Sequence, residues 1–462
     1  MIMLSRSIFI SIFIIWNLAS IIYIDNLGSL RQSLPQNIIS WLAIVLIISI
    51  IAFTVFYRKI KIFITIPAMC FCLGLVILSI NLFYVQENTN IIFWYWSGIS
   101  AGVILYIVGL QIREKWLIQS FCIYCFIIIN VIQCFFTIYQ YIFETNIFYF
   151  ATGMRSYGLT QQITVLSVNM AMSCILSLMT MVLSQFKLAS LFQEKCRTML
   201  LGIGIFLFTM MLVILQSVTI ILSFAVCTFI FICLFYQKNK LRVSVSYFII
   251  AIAVFIGVYL IQLCPKYIDS EIINRFHIKQ MLRFSISLFI SPPTEMWEKP
   301  LIMNASFETN QIPFLSSDNY IMPHVFNEIL RWVMTGGYIN LIFMSFLITG
   351  GIYVIYQSII KYKKNGNGYS ISLVLALTPV VINSNLEHPF LQSVLHWGMI
   401  ILFLSFSDAS FPLKEQSIFY INKHLSLLFS FSTFIIGLSV FIIGLILFNG
   451  QSFFHTNIFS FS

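Results

Sequence analysis

Long apolar runs follow one another along almost the whole chain, each closed by a short polar turn. A helix of about 17–25 apolar residues crosses the roughly 30 Å hydrocarbon layer of a bilayer, and the runs have that length. They are rich in Ile, Leu and Phe and do not alternate with polar residues, which fits helices and not the two-residue period of a transmembrane barrel. Only 9% of the residues are charged, against about 25% in a soluble domain. A water-facing surface of ordinary area could not be covered with so few. The expected fold class is therefore all-α: a polytopic integral membrane protein, with residues 1–462 forming a single transmembrane domain. No internal repeat, low-complexity linker or separate soluble domain is visible.

Thirteen spans are expected, at Ile8–Ile24, Ile38–Tyr57, Phe63–Tyr84, Ile91–Gln111, Leu117–Phe143, Gln162–Ser184, Thr198–Leu215, Val218–Tyr236, Val243–Leu263, Tyr338–Ile360, Ser370–Ser384, Leu391–Phe406 and Leu425–Phe448. The boundary between the seventh and eighth rests only on Gln216, Ser217 and Thr219. The first run follows Arg6 without a small-x-small cleavage site, so it reads as a retained span and not a signal peptide.

The basic residues orient these spans. With the N-terminus inside, Arg6, Arg58, Lys59, Lys61, Arg113, Lys115, Lys187, Lys195, Arg197, Lys238, Lys240, Arg242, Lys361, Lys363, Lys364, Lys414 and Lys423 all fall on the inner side. Every basic cluster on a short loop obeys the positive-inside rule, and the C-terminus is expected outside. This distribution explains the net charge of +10 better than nucleic-acid binding does. Most of the ten cysteines lie inside apolar runs. Among them are Cys122 and Cys125, whose C-x-x-C falls in mid-span and reads as apolar packing. No disulfide framework, metal-ligand spacing or cofactor motif is visible.

Ionisable residues are almost missing from the span centres, where ion-coupled transporters carry them. His396 is the exception, expected as a hydrogen-bonded structural histidine. The polar groups gather on the outer side. One outer loop, Cys264–Pro323, is much longer than the others. Within it, Glu271–Ile290 has the pattern of an amphipathic helix, ended by Pro292 and Pro293. Arg275, Lys279 and Arg283 share one of its faces at four-residue spacing. Such a face suits lipid phosphates met by snorkelling and equally a pyrophosphate gripped by guanidinium forks. Directly after the loop come His324, Asn327, Glu328 and Arg331, which as a bland feature would cap the tenth span. Two more polar turns, Asn383–Phe390 with Glu387 and His388, and Arg155–Gln162 with Gln161, open on the same side. Asn169 lies deeper in the sixth span.

These segments resemble the bacterial O-antigen ligases, O-antigen polymerases and O-linked protein oligosaccharyltransferases, a group that includes the compact type IV pilin glycosylating enzymes. A long outer loop followed by His324-x-x-Asn327-Glu328 and Gly336-Gly337 is similar to the family's His-x-His-Asn…Gly signature. The Asn383–Phe390 turn resembles the His-Ser-Leu-Leu-Glu-Tyr-Pro-Leu segment of the protein oligosaccharyltransferases at Ser384, Leu386, Glu387 and Pro389. Arg155-x-x-Gly158-x-x-Gln161 resembles their Arg-x-x-Gly…Gln-x-Asn segment. The chain departs at Ser217-Val218-Thr219, where the family often has Ser-Arg-Thr, at Asn383, where it usually has His, and at Pro300–Met303, which lacks glycine. It also carries no large C-terminal soluble domain.

The resemblance implies a glycosyltransferase of the bacterial inner membrane with its active site facing the periplasm. It implies transfer of a glycan from undecaprenyl pyrophosphate to a hydroxyl, without metal or cofactor. His324 and Glu387 would be the catalytic pair. Arg275, Lys279, Arg283 and Arg155 would hold the pyrophosphate, supported by Asn327, Glu328, Gln161 and His388. The acceptor is expected to be Ser or Thr of an exported, pilin-like protein. Lipid A core or another glycan chain, as for a ligase or polymerase, remains open, and so does a lipid-linked sugar flippase.

Overall fold

A computed structural model describes residues 2–18, 20–21, 35–59, 62–80, 82, 89–112, 116–143, 158–160, 163–263, 328–385, 393–410, 419–420 and 422–458. Within them lie thirteen α-helices: α1 Ile2–Leu18, α2 Pro35–Tyr57, α3 Ile66–Ser79, α4 Thr89–Leu110, α5 Trp116–Phe143, α6 Ile163–Val182, α7 Leu191–Leu215, α8 Val218–Phe235, α9 Lys240–Leu263, α10 Glu328–Asn365, α11 Tyr369–Ser384, α12 Val394–Ala409 and α13 Lys423–Ile458. Eight of the helices are long and apolar enough to cross a membrane; five more have shorter apolar stretches among the described residues. The all-helical membrane architecture expected from composition is thus present. The long loop Cys264–Pro323 and its expected helix at Glu271–Ile290 lie outside the described residues.

The helices run between two ends. One, the basic end, carries the lysine- and arginine-bearing turns near Lys59, Lys187, Lys238 and Lys364. The other, the far end, carries Gly158–Thr160, the α7–α8 turn and the start of α12. At the basic end two short strands, β1 Phe63–Ile64 and β2 Phe419–Tyr420, pair antiparallel. Ser426 at the start of α13 accepts a hydrogen bond from the Ile62 N–H at 3.1 Å, closing the chain's last helix onto its third. At the far end Gln216 adopts a left-handed backbone, φ 53°, and ends α7 before α8 begins. The break therefore falls where Gln216 and Ser217 mark it in the sequence.

α6 is the axis. Every residue from Val165 to Val182 is buried, and α5, α7, α8, α9 and α11 pack around it. Between helices in lipid the hydrophobic effect gives no net drive, so association rests on close packing of small residues and on hydrogen bonds. Ser167, Ser173 and Ser177 supply the small positions on α6. Away from the axis, a Cβ added to Gly398 of α12 would meet the Trp16 ring at 2.5 Å and Ile44 at 3.0 Å. Glycine there lets α12 lie against α1 and α2. The opposite faces of α9 and α13 are apolar and exposed, with Phe248, Phe255, Leu428 and Ile436 among them. Such surfaces suit lipid contact.

The last turn of α6 lies deep in the bundle, and its free carbonyls need donors. Arg197 Nη1 donates to the Thr180 carbonyl at 2.6 Å, Arg242 Nη1 to Met181 at 2.7 Å and Asn239 Nδ2 to Val182 at 3.2 Å. Glu194 bridges both guanidinium groups at 2.7 Å each. Two cations at a helix C-terminus also oppose its dipole. α7 starts seven residues before the expected Thr198 because this lattice needs Glu194 and Arg197 on helix.

α11 and α12 are short. Each has 16 residues, about 24 Å at 1.5 Å per residue, while α5 has 28, about 42 Å. At the basic end the three are level: the Tyr369 hydroxyl of α11 meets Gln119 of α5 at 3.2 Å, and Ser370 meets Ser407 of α12 at 2.6 Å. Among the described residues, the far ends of α11 and α12 therefore stop well below that of α5, and a recess lies between these helix ends.

Candidate functional site

Around this recess the described polar side chains of α5 and its neighbours are uncharged. Asn130, Gln133, Thr137 and Gln140 follow one face of α5 at helical spacing, and all are buried. Gln140 clamps the backbone of Gly158: its Oε1 accepts from the Gly158 N–H at 2.9 Å and its Nε2 donates to the Gly158 carbonyl at 3.1 Å. Gln133 accepts from the Leu159 N–H at 3.3 Å and donates to the Ser20 carbonyl at 2.5 Å. Gly158 holds φ +61° with Leu166 and Thr137 3.0 Å from where a Cβ would lie. A side chain there would be strained by both conformation and space. The two glutamines thus fix the 3-10 turn Gly158–Thr160 that leads into α6.

A second tie joins α2 to α12. Asn37 Oδ1 accepts from the Val394 N–H at 3.0 Å. Ser393 caps α12 by accepting from the His396 N–H at 3.4 Å, the usual service of an N-cap serine. Between the ties lies a cavity of about 10 Å³ lined by Ser20, Asn37, Ser40, Thr160, Asn169 and Ser393, with Val165 and Leu395. That volume admits about one water-sized group. Asn169 is 3% exposed, and its Oδ1 has no hydrogen-bond partner among the described residues.

Asn383 on the last turn of α11 and His396 in the first turn of α12 are both 1% exposed. The side chain of Asn383 has no hydrogen bond among the described residues. The ring of His396 interacts with the Val165 backbone, in keeping with the structural role expected for it, but closes no hydrogen bond of good geometry among the described residues. Burying a polar group without a partner costs of the order of 1–3 kcal/mol, and Asn383 stands close to the segment 386–392.

Most of the residues expected to do chemistry cannot be set into this geometry. Arg155, Gln161, Arg275, Lys279, Arg283, His324, Asn327, Glu387 and His388 lie outside the described residues. Glu328 opens α10. Their described neighbours do converge. Thr160, next to Gln161, and Ser393, at the end of the turn that holds Glu387 and His388, line one cavity.

A different buried group was not foreseen. Asp408, fully buried near the basic end of α12, accepts hydrogen bonds from the Thr65 hydroxyl at 2.5 Å and the Tyr106 hydroxyl at 2.8 Å. Thr65 in turn caps α3 by accepting from Ala68 at 3.4 Å. Ser358, Ser370 and Ser407 form a hydroxyl cluster joining α10, α11 and α12, and Lys361 donates to Ser410. In the sequence Asp408 stands just past the expected twelfth span, so it reads as a loop residue. Its arrangement ties three helices together and has no opening for a substrate among the described residues.

No protein-family model matches the chain, and no curated protein matches it.

Proposed function

We propose that the chain is an O-linked oligosaccharyltransferase of the bacterial inner membrane, crossing it thirteen times with the basic end in the cytoplasm. It moves a glycan from undecaprenyl pyrophosphate to a Ser or Thr hydroxyl of an exported, pilin-like protein. The observation that supports this most is a coincidence of place. Two of the three segments that carry the family resemblance, Arg155–Gln161 and Asn383–Phe390, adjoin helix ends that line or flank one recessed polar cavity. A lipid-borne donor reaches such a recess by lateral diffusion.

In the reaction the acceptor oxygen attacks the anomeric carbon and forms the new glycosidic bond. The bond from that carbon to the pyrophosphate oxygen breaks, and undecaprenyl pyrophosphate leaves with the electron pair. His324, with Glu387 orienting it, takes the acceptor proton. Arg275, Lys279, Arg283 and Arg155 stabilise the charge developing on the leaving group. The family resemblance carries these assignments. A ligase or polymerase would use the same steps with lipid A core or a glycan as acceptor. A lipid-linked sugar flippase is the reading from another class. Against it stands the buried axis α6, which carries no Asp, Glu, Lys, Arg or His.

Deleting the gene and reading both pilin mass and lipopolysaccharide banding separates these. Loss of the pilin glycan with unchanged O-antigen is the expected result. Loss of O-antigen with an intact pilin glycan would transfer the assignment to a ligase or polymerase.

A further inference from the structure

The first turns of α7 and α9 carry apolar side chains at a depth where a membrane helix is ordinarily polar. α7 has 25 residues and α9 has 24, about 36–38 Å at 1.5 Å per residue, against a hydrocarbon layer of about 30 Å. Charged groups avoid that layer. Glu194, Lys195 and Arg197 on α7, with Lys240 and Arg242 on α9, therefore set the excess length at the basic end, in the headgroup layer. Leu191 and Phe192 come before all the charges of α7, and Leu241 stands between the two of α9. Yet they are 82%, 75% and 76% exposed. The two turns make one surface, since Arg242 Nη2 lies 2.7 Å from Glu194 Oε1. The Leu188 N–H donates to Glu194 Oε2 at 3.0 Å, which lays the exposed Leu188 beside them.

The charge around these apolar groups has one sign. From residue 187 to 242 the chain carries six Lys or Arg and a single acid, Glu194. Glu194 is taken up by Arg197 and Arg242, and Lys238 donates to the Gly366 carbonyl. Lys187, Lys195 and Lys240 are exposed and have no ion pair among the described residues. Three free ammonium groups thus rim an apolar surface at the depth of lipid phosphates.

We propose that the first turns of α7 and α9 form a docking surface for anionic phospholipid of the leaflet that meets the basic end. Lys187, Lys195 and Lys240 attract the phosphate headgroups. Leu188, Leu191, Phe192 and Leu241 insert among the glycerol backbones, as the apolar faces of interfacial helices do. Glu194, Arg197 and Arg242 tie this surface to the last turn of α6, so lipid docked there bears on the end of the bundle's axis. The surface goes beyond the transferase reading and stands or falls without it.

The test uses the full chain in detergent, titrated with phosphatidylglycerol as the anionic probe and phosphatidylcholine as the zwitterionic one. Bound lipids are counted by native mass spectrometry. The unaltered protein should bind phosphatidylglycerol more tightly. Lys187→Gln, Lys195→Gln and Lys240→Gln together should weaken it on the order of tenfold and leave phosphatidylcholine as it was. Leu191→Ser with Phe192→Ser should weaken both lipids. The matched control, Lys59→Gln with Lys363→Gln and Lys364→Gln, removes the same charge from other exposed turns of the basic end and should change neither. Equal affinity of the unaltered protein for the two lipids overturns the proposal, because the lysines then recognise no charge. So does an equal loss in the control, which reduces the effect to net charge. The same spectra count copies of the chain. A dimer that Leu191→Ser with Phe192→Ser turns into monomers assigns the surface to a second copy and overturns it too. Should the triple variant fail to fold, Lys195→Gln alone decides by the same comparison.

Discussion

At the scale of single residues, the buried polar groups make the sharpest claims. Tyr106→Phe removes one of the hydroxyls that Asp408 accepts from while keeping the ring that packs against Phe71. It should cost about 1–2 kcal/mol, seen as a lower unfolding temperature in detergent. A variant as stable as the parent would show that the Asp408 hydrogen bond is energetically idle. His324→Ala makes a different kind of claim. It should abolish glycan transfer and leave expression and membrane insertion as they were, and full transfer by that variant would remove His324 from the chemistry. Single residues were also the least legible part of the sequence. Asp408 reads as a loop carboxylate because nothing near it in the chain announces Thr65 and Tyr106, which come from about 300 residues away. Asn130, Gln133, Thr137 and Gln140 did carry a readable signal, a polar face at helical spacing inside an apolar run. Their service to Gly158 depends on a left-handed turn that no spacing reveals.

At the scale of elements, each expected span coincides with a helix, because twenty apolar residues between polar turns leave a backbone in lipid little choice. Helix ends were less legible. α3 stops at Ser79, short of the expected Tyr84, and α10 begins at Glu328, ten residues before the expected Tyr338. Hydropathy locates the apolar stretch but not the caps beyond it. The C-terminus of α6 illustrates why caps matter: its carbonyls are held by Arg197 and Arg242 from two other helices. Arg197→Met should destabilise the bundle by about 1–3 kcal/mol, and an unfolding curve matching the parent would argue against the capping role. Gly398→Leu should do more, because its side chain would enter the space held by Trp16 and Ile44. Overpacking costs about 1–3 kcal/mol or more, and here it would pry α12 from α1 and α2. Loss of folded protein in size-exclusion profiles is the expected outcome, and a well-folded, fully stable variant would contradict the close approach.

At the scale of the whole molecule, the bundle has a basic end and a far end whose described cavity is lined by uncharged polar side chains, and the proposed function depends on which faces the periplasm. The positive-inside pattern predicts that a phosphatase reporter inserted in residues 264–327 is active, while one fused after Lys238 is inactive. The opposite result would invert the topology and remove the donor from the recess. The gathering of Lys and Arg at one end of the helices was legible in the sequence; which side of the membrane that end faces is what the reporter decides. The recess was not, since it comes from the lengths of α11 and α12 relative to α5. The account as a whole turns on whether this chain transfers a glycan. The most direct measurement is a reconstitution: the purified full chain in nanodiscs, an undecaprenyl-pyrophosphate-linked oligosaccharide, and a pilin-like acceptor with exposed Ser and Thr. The predicted result is an acceptor whose mass rises by that of the oligosaccharide, with stoichiometric release of undecaprenyl pyrophosphate. An intact donor and an unmodified acceptor, from protein that is folded and supplied with its host's own pilin and glycan, would contradict it.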